Sequence, residues 1–264
     1  MTDRVRERSD IPTARRIVVK VGSSSISGAN AGQIRPLVDA LAEAHGRGTE
    51  VILVSSGAIA TGIPYLNLDE RPTDLATQQA AAAVGQNVLI YRYQESLDRY
   101  DIVAGQVLLT AGDLENPTHR SNAQRAMERL LGLRILPIVN ENDTVATHEI
   151  RFGDNDRLAA LVSLLVQADV LVLLSDVDAL YTRPPSEPGA VRIDRVAISD
   201  DLHEVTFGGI GAAGVGTGGA GTKVAAAKMA AAAGTAVLLT ATGRVADALA
   251  GASIGTWFDA APRK

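Results

Sequence analysis

Short, almost wholly apolar runs alternate along this chain with segments of helical spacing, and this alternation constrains the fold more than any other feature. Apolar runs of this length that end in Gly, Ser or Asn are typical of strands buried on both faces. Such strands are predicted at residues 17–22, 51–57, 102–109, 134–140 and 170–174. Helices are predicted at 33–47, 73–99, 122–131 and 157–166, and residues 224–258 continue the alternation. The sequence therefore predicts an α/β fold, a three-layer αβα sandwich with a mostly parallel central sheet.

The polar segment before the first strand predicts a separate region. Residues 1–15 are rich in Arg, Asp and Glu and lack the apolar stretch of a signal peptide, so we expect a mobile N-terminal tail and a cytoplasmic protein. Residues 16–264 contain neither a linker-like segment nor an internal repeat, which predicts a single domain. Within it, residues 144–152 suit a hairpin or flap.

The composition argues against several classes of function. Among 264 residues, 25 Lys and Arg face 30 Asp and Glu, and the formal net charge of −5 disfavours nucleic acid as the main partner. The chain has no Cys and its four His are scattered, so we expect no transition metal held by the protein. No apolar run reaches the roughly 18 residues that a membrane-spanning helix needs, so no membrane partner is expected.

Lysine is rare among the basic residues, which makes its positions informative. Only Lys20, Lys223, Lys228 and Lys264 are lysine, and all the other basic residues are Arg. Lys20 ends an apolar strand and precedes a Gly-Ser-Ser-Ser turn whose backbone N–H groups can bind an anion. A strand-end lysine that extends to solvent before an ordinary turn explains the same pattern, and on this cluster alone we favour it.

Two further polar clusters follow predicted strands. Residues 54–62 read VSSGAIATG, and the helix start after this turn can attract carboxylates or phosphates, although an N-capping serine accounts for it as well. Residues 139–143 (VNEND) and 152–157 (FGDNDR) crowd acids and amides between a strand and a helix, beyond what helix capping needs. The Asp-x-Asp in the second segment does not begin a calcium loop, because Leu158 and Ala160 stand where oxygen ligands are required.

A glycine-rich segment, GGIGAAGVGTGGAGTK at residues 208–223, precedes the last predicted helices. It contains Gly-x-Gly-x-x-Gly twice, but neither copy follows a strand and no acid lies about 20 residues beyond, so the dinucleotide-binding interpretation is weak. The final Thr-Lys also departs from the P-loop order. The segment suits a flexible loop that brings a lysine to polyphosphate, and a disordered glycine loop is the alternative.

Together these clusters resemble the amino acid kinase family, and within it the branch that phosphorylates the side-chain carboxylate of L-glutamate. The resemblance covers residues 17–258. It rests on VKVGSS at 19–24, VSSGAIA at 54–60, QAAAAVGQ at 79–86, GQVLLT at 105–110, VNEND at 139–143, GDND at 153–156, LSD at 174–176, and GTGG with TK at 216–219 and 222–223. The VNEND and GDND segments are specific to this branch.

The resemblance implies an ATP-dependent kinase that makes L-glutamate 5-phosphate in the first step of proline synthesis. It implies that Lys20 and Lys223 contact the transferred phosphoryl group and that Asp156 holds both lysines. It places L-glutamate against Ser56, Gly57, Asn140, Asp143, Asp154 and Asn155. It places ATP against Lys20, Gly22, Ser175, Asp176, Thr217, Gly218, Gly219, Ala220, Gly221, Thr222 and Lys223.

The resemblance also carries expectations about cofactors and partners. Mg²⁺ is expected on the nucleotide phosphates and not in a site formed by the protein alone. L-Proline is expected as a feedback inhibitor, and a homo-oligomer, dimer or tetramer, is expected. Many members of this branch carry a C-terminal domain related to RNA-modification enzymes, and we expect a form without it.

Three other interpretations stay open on the sequence. A sibling kinase would phosphorylate aspartate, N-acetylglutamate or carbamate. A non-catalytic sensor of amino acids or proline would keep the fold, although such a protein has no use for Lys20, Asp156 and Lys223 as a phosphate clamp. A dinucleotide oxidoreductase would rest on the two glycine motifs alone.

Overall fold

An eight-stranded sheet forms the centre of the computed structural model, which describes residues 5–68, 72–145, 155–203, 205–206 and 219–262. Its strands are β1 (Arg16–Lys20), β2 (Glu50–Val54), β3 (Ala104–Leu109), β4 (Leu136–Glu141), β5 (Val170–Ser175), β8 (Arg195–Val196), β9 (Ala236–Ala241) and β10 (Thr256–Phe258). They lie in the order β3-β4-β2-β1-β5-β9-β10-β8, and every pair is parallel except β9 with β10. The predicted mostly parallel sheet is confirmed.

Helices lie on both faces of the sheet, as a three-layer sandwich requires. They are α1 (Ile34–Gly46), α2 (Ala58–Gly62), α3 (Leu75–Leu97), α4 (Ala111–Glu115), α5 (Pro117–Gly132), α6 (Asn155–Leu165), α7 (Ala220–Ala232) and α8 (Val245–Leu249). Short 3-10 helices occur at Arg8–Thr13, Ser23–Ser25, Gly28–Gln33, Ile63–Tyr65, Asp98–Tyr100, Asp143–Val145 and Thr242–Arg244. A separate antiparallel pair joins β6 (Leu180–Tyr181) to β7 (Arg192–Ile193), inside a segment expected to be loop-rich.

Two hydrophobic cores result from the alternation of side chains along each strand. In β1, Ile17 and Val19 belong to the core beneath α1, α3 and α8, whereas Val18 belongs to the core beneath α5, α6 and α7. In β5, alternate residues divide in the same way between the two cores. Because both faces of these strands are buried, their sequences are continuously apolar, and this property made them recognisable.

The crossing of α2 and α3 is the closest helix contact near the carboxyl ends of the strands. A Cβ atom added to Gly62 would lie 1.9 Å from the backbone oxygen of Ala81, and one added to Gly85 would lie 1.8 Å from the backbone oxygen of Ala58. Neither position has room for any side chain. The two glycines thus allow the backbones of α2 and α3 to touch, and they fix α3 against the turn that follows β2.

The N-terminal segment differs from the expectation of a tail set apart from the fold. Residues 8–13 form a 3-10 helix, and Ile11 is fully buried in the core beneath α8, with Val5 also buried. Arg8 Nε donates to the backbone oxygen of Ile254 at 2.7 Å. The few apolar residues among the charged ones are sufficient to pack this segment onto the domain. The expected hairpin or flap begins in the 3-10 turn Asp143–Val145, and its residues 146–152 lie outside the described residues.

Candidate active site

The polar clusters identified in the sequence converge at the carboxyl ends of the central strands. Lys20 ends β1, Ser56 follows β2, Asn140 lies near the end of β4 and Ser175 ends β5. The first turns of α6 and α7 face the same edge. In parallel α/β sheets this edge is where ligands bind.

One carboxylate at this edge holds two lysines. Lys20 Nζ lies 2.7 Å from Asp156 Oδ1, and Lys223 Nζ lies 3.2 Å from Asp156 Oδ2. All three side chains are buried, and Asp156 is only 1% exposed. Burial alone would raise the pKa of Asp156, but the two ammonium groups outweigh it and hold that pKa at about 2. The trio therefore keeps one positive charge in excess, which is available to an anion.

The start of α7 places Lys223. Thr222, one residue earlier, has its hydroxyl 3.0 Å from Asp156 Oδ2 and 2.9 Å from the backbone oxygen of Gly219. The expected ATP residues Gly219, Ala220 and Gly221 lie immediately before Thr222, at the first turn of α7. Two successive side chains of this turn are thus directed at one carboxylate of α6, which fixes the lysine relative to the sheet.

The turns after β1 and β2 touch each other beside this trio. Gly57 has a φ of 88°, and a Cβ atom there would lie 3.2 Å from Ser23 Cβ. A Cβ atom added to Gly22 would lie 3.8 Å from Lys20 Nζ, so the first turn runs directly against the ammonium group. Ser56, in the turn that follows β2, is buried. A side chain at Gly57 would separate the turns, which explains why glycine occupies this position.

The acidic side of the edge carries an unusual carboxyl group. Asp143 is buried, and burial, reinforced by the nearby charge of Glu141, raises its pKa to about 7. It lines a cavity of about 290 Å³ together with Gln86, Gln106 and Thr144. A carboxylate in this position can be stabilised by a cation of the ligand, since its own neighbour Glu141 is acidic.

Two amides predicted to bind substrate differ in how they are engaged. Asn140 Nδ2 donates to Gln86 Oε1 at 3.1 Å, and Asn140 Oδ1 accepts from the backbone N–H of Glu141 at 2.9 Å. The Asn140 amide is thus bonded within the protein at both ends. Asn155 is also buried, but its Oδ1 has no hydrogen-bond partner among the described residues and can accept from a ligand.

A pair of residues expected to contact ATP, Ser175 and Asp176, lies at the end of β5, whereas Asp143 follows β4. Ser175 Oγ donates to Asp176 Oδ1 at 3.1 Å, and the Thr242 hydroxyl lies 3.1 Å from the backbone oxygen of Ser175 and 2.8 Å from Ser25 Oγ. Both residues of the pair line a cavity of about 730 Å³ with Ser25 and Thr242. This cavity is large enough for a small-molecule ligand.

Three predicted site residues lie outside the described part of the chain, and two residues of the site were not predicted from the sequence. Asp154, Thr217 and Gly218 lie outside the described residues. Gln86 and Thr242 were not singled out from the sequence as site residues. Gln86 interrupts the buried apolar stripe of α3, a signal that could have identified it, whereas Thr242 follows a strand without any comparable pattern.

In the part of the chain that the structure describes, no helix is long and apolar enough to cross a membrane. Within those same ranges, no three or more His, Asp or Glu side chains cluster closely enough to hold a metal ion.

Comparison with known proteins identifies the family. Residues 15–240 match the sequence profile described as the amino acid kinase family. The chain is 77% identical over 254 residues to the glutamate 5-kinase of Leifsonia xyli subsp. xyli, covering 96% of this chain and 94% of that protein. It is 56% identical over 261 residues to the glutamate 5-kinase of Streptomyces coelicolor, covering 97% of this chain and 70% of that protein.

A solved structure shares the fold. The carbamate kinase from Giardia lamblia bound to AMP-PNP superposes with a TM-score of 0.65 at 16% identity, covering 95% of this chain and all of that one. At this identity the likeness concerns the fold alone. The profile match and the much closer relatives show that the chain belongs to the amino acid kinase family and, within it, to the glutamate 5-kinases.

Proposed function

We propose that the protein transfers the γ-phosphoryl group of ATP to the side-chain carboxylate of L-glutamate, giving L-glutamate 5-phosphate for proline synthesis. The observation that carries the proposal is the buried trio in which Lys20 and Lys223 contact opposite oxygens of Asp156. The relatives at 77% and 56% identity, both named glutamate 5-kinase, support the choice of acceptor.

The chemistry needs positive charge and alignment more than a general base. The side-chain carboxylate of glutamate has an ordinary pKa of about 4.3, so it is already an ionised nucleophile at neutral pH. Phosphoryl transfer passes through a loose transition state in which charge spreads over the phosphoryl oxygens. Lys20 and Lys223 stabilise that charge, and Asp156 keeps both ammonium groups in place without neutralising them completely.

The cavity that Asp143 and Glu141 line binds the acceptor. The Asp143 carboxylate binds the α-ammonium group of L-glutamate. Asn155, whose Oδ1 has no hydrogen-bond partner among the described residues, offers that oxygen to the acceptor. Ser56 and Gly57 present their turn to the side-chain carboxylate of L-glutamate, and Asp154 is a further proposed contact of the acceptor. An acceptor with an acylated amino group has no positive charge for Asp143, so N-acetylglutamate is disfavoured.

The other half of the edge binds the nucleotide. Ser175 and Asp176 contact ATP from the end of β5, Gly22 lets the backbone approach the phosphates, and the segment from Thr217 to Lys223 covers them. Magnesium commonly keeps several waters and binds substrate phosphates with few protein ligands. The described residues therefore fit a Mg²⁺ ion that is bound mainly by the phosphates of ATP. Bound there, Mg²⁺ supplies further positive charge to the phosphoryl group.

Four broader properties complete the proposal. The protein works in the cytoplasm as a homo-oligomer, a dimer or tetramer, with neither nucleic acid nor a membrane as partner. L-Proline inhibits it by feedback. Light scattering of the purified protein checks the oligomeric state, and titration of the reaction with L-proline checks the inhibition.

The decisive experiment measures product and acceptor together. Purified protein is given Mg-ATP with L-glutamate, aspartate, N-acetylglutamate or no acceptor, and hydroxylamine traps any acyl phosphate as a hydroxamate. We expect ADP release and hydroxamate with L-glutamate alone. Product with another acceptor would indicate a sibling kinase, and no product from protein that still binds glutamate or proline would indicate a sensor.

A further inference from the structure

A glutamine occupies the buried face of α3, where its neighbours are apolar. The stripe that this helix buries includes Ala82, Leu89 and Leu97, and Gln86 lies within it at 8% exposure. Burying a side-chain amide is unfavourable unless both of its ends form hydrogen bonds. Gln86 Oε1 accepts from Asn140 Nδ2 at 3.1 Å, and Gln86 Nε2 donates to the backbone oxygen of Glu141 at 3.1 Å.

The hydrogen bonds of Gln86 and Asn140 lie on the side of β4 that β2 covers only as far as Val139. The ladder between β2 and β4 includes only Leu53 with Ile138 and Val54 with Val139, and the last contact is the Ser55 N–H donating to the oxygen of Val139. Glu141 is two residues farther along β4, so its N–H and C=O point to the same side as those of Val139. Since β2 ends at Val54, no strand in the described part of the chain meets them there.

Two amide side chains satisfy both of these backbone groups. The Glu141 N–H donates to Asn140 Oδ1 at 2.9 Å, and the Glu141 oxygen accepts from Gln86 Nε2. On the opposite side, the Asn142 N–H donates to the oxygen of Leu109 on β3. The end of β4 is therefore held from both sides, and Gln86 is the link on the side where the sheet has ended.

The segment held in this way leads directly into the acidic cavity. Asp143 begins a 3-10 turn two residues after Glu141, and its side chain lines the same cavity of about 290 Å³ as Gln86. The Gly62–Gly85 contact fixes this part of α3 against α2, because Gly85 immediately precedes Gln86 in the chain. Gln86 therefore links the backbone that carries Asp143 to α3, whose position is fixed by its contact with α2.

We propose that Gln86 is a positioning residue for acceptor recognition: through Asn140 and the Glu141 carbonyl it sets the place of Asp143, and it thereby sets the affinity for the α-ammonium group of the acceptor. This inference rests on the proposed glutamate kinase activity. It assigns to Asn140 a second role, as the partner of Gln86, in addition to any contact with substrate.

The test is a pair of matched substitutions on one helix. Gln86→Met keeps the length and approximate volume of the side chain but removes both hydrogen bonds. Gln78→Met is the control, because Gln78 also donates from its Nε2 to a backbone oxygen, that of Pro72 at 2.9 Å, but lies outside the group of residues around Asp143. The Michaelis constants for L-glutamate and ATP are measured for both variants with the hydroxamate assay.

We expect Gln86→Met to raise the KM for L-glutamate by about tenfold or more, since small misplacements of a binding group have effects of this size, while the KM for ATP stays within about twofold. Gln78→Met should leave both constants within about twofold of the wild type. A loss of stability alone would not separate the two Michaelis constants, so this split distinguishes positioning from simple support of the fold.

A second variant covers the case in which Gln86→Met does not fold. Gln86→Glu keeps an oxygen for Asn140 Nδ2 but loses the donor to Glu141, and it should also raise the KM for L-glutamate selectively. An unchanged KM for L-glutamate in a folded variant, or an equal rise for ATP, would overturn the inference. Absence of hydroxamate with the wild type would instead overturn the proposed function, so the two failures are distinguishable.

Discussion

The ammonium groups of Lys20 and Lys223 approach one carboxylate from opposite sides, at 2.7 Å and 3.2 Å from the two oxygens of Asp156. They come from β1 and α7, whose sequences are about 200 residues apart. Each lysine thus contacts a different oxygen of the carboxylate that the two share. This arrangement brings two positive charges together at the carboxyl edge of the sheet, where we propose that phosphoryl transfer takes place.

Loss of either lysine should slow the chemical step with little effect on folding. We expect Lys20→Met or Lys223→Met to lower kcat by about 10²- to 10³-fold, the usual effect of removing one donor to a transition state. Lys→Arg at either position should also impair turnover, because a planar guanidinium cannot replace a compact ammonium group. Lys228→Met, which removes a partly buried lysine bonded to the backbone oxygen of Asp201, is the control for both.

These variants are compared by ADP release and thermal melting. A kcat within threefold of the wild type in a folded Lys20 or Lys223 variant would remove that lysine from the catalytic role.

Glutamate affinity should depend on pH through Asp143, whose pKa burial and Glu141 raise to about 7. Only the ionised carboxylate attracts an ammonium group, so the KM for L-glutamate should rise up to tenfold per pH unit below about pH 7. The KM for ATP should not follow this curve. Asp143→Asn should show a high KM with a flat profile, and a profile in that variant parallel to the wild type would assign the titration to another group.

The same carboxyl group should affect stability. Its pKa in the folded protein lies above the ordinary value of 3.8, so the folded chain binds more protons than the unfolded chain between about pH 4 and pH 7. Its contribution to the free energy of unfolding therefore declines as the pH rises through this window. Urea titrations of wild type and Asp143→Asn across the window should converge at low pH and separate at high pH, with the variant more stable.

Asp156→Asn should destabilise the fold, because it leaves two buried ammonium groups without their carboxylate. A loss of about 3–5 kcal/mol in the free energy of unfolding is expected for breaking a buried ion pair from one side. The pKa of about 2 means that the wild type should lose this contribution as the pH falls from about 4 to 2. Asp247→Asn, in an exposed pair with Arg244, should change the free energy by less than about 1 kcal/mol.

Urea unfolding at neutral pH measures both variants. Equal stabilities for Asp156→Asn and Asp247→Asn would mean that the trio is not held as a buried unit.

Gly62→Ala or Gly85→Ala should prevent stable folding, because the added carbon would lie less than 2 Å from a backbone oxygen of the facing helix. Gly46→Ala, at the end of α1, is the matched control, since nothing lies within 4 Å of its Cβ position. It should be neutral or raise the free energy of unfolding by roughly 0.5–1 kcal/mol. Far-ultraviolet circular dichroism during urea titration separates these outcomes, and a stable, active Gly85→Ala protein would refute the close crossing.

The strands of the sheet could be predicted because their signals are local, whereas the pairing of Lys20 and Lys223 with Asp156 was expected only from the family resemblance. The strand at 170–174 is apolar at every position, and Lys20 ends a strand in a chain that otherwise prefers arginine. The packing of Ile11 and the bonds of Gln86 could not be predicted in this way. Each depends on partners far along the chain, and only the fold brings those partners together.

Asn140 illustrates the limit within the site itself. Its position at the end of a predicted strand placed it at the carboxyl edge of the sheet, where the structure has it, but the sequence does not reveal that both ends of its amide are used inside the protein. Thr242 illustrates the opposite case, since one hydroxyl after an ordinary strand gives no pattern, although it lies between Ser25 and Ser175.

The contact between Gly62 and Gly85 determines how acceptor preference can be altered by directed evolution. Since the backbones of α2 and α3 touch there, the turn at Gly57 and the amide of Gln86 belong to a single rigid body and cannot be shifted independently. Libraries that randomise either helix at the crossing will consist mostly of unfolded clones. Diversity introduced at Asn87, Gln106 and Thr144, which line the cavity outside that contact, leaves the scaffold intact while changing the shape offered to the acceptor.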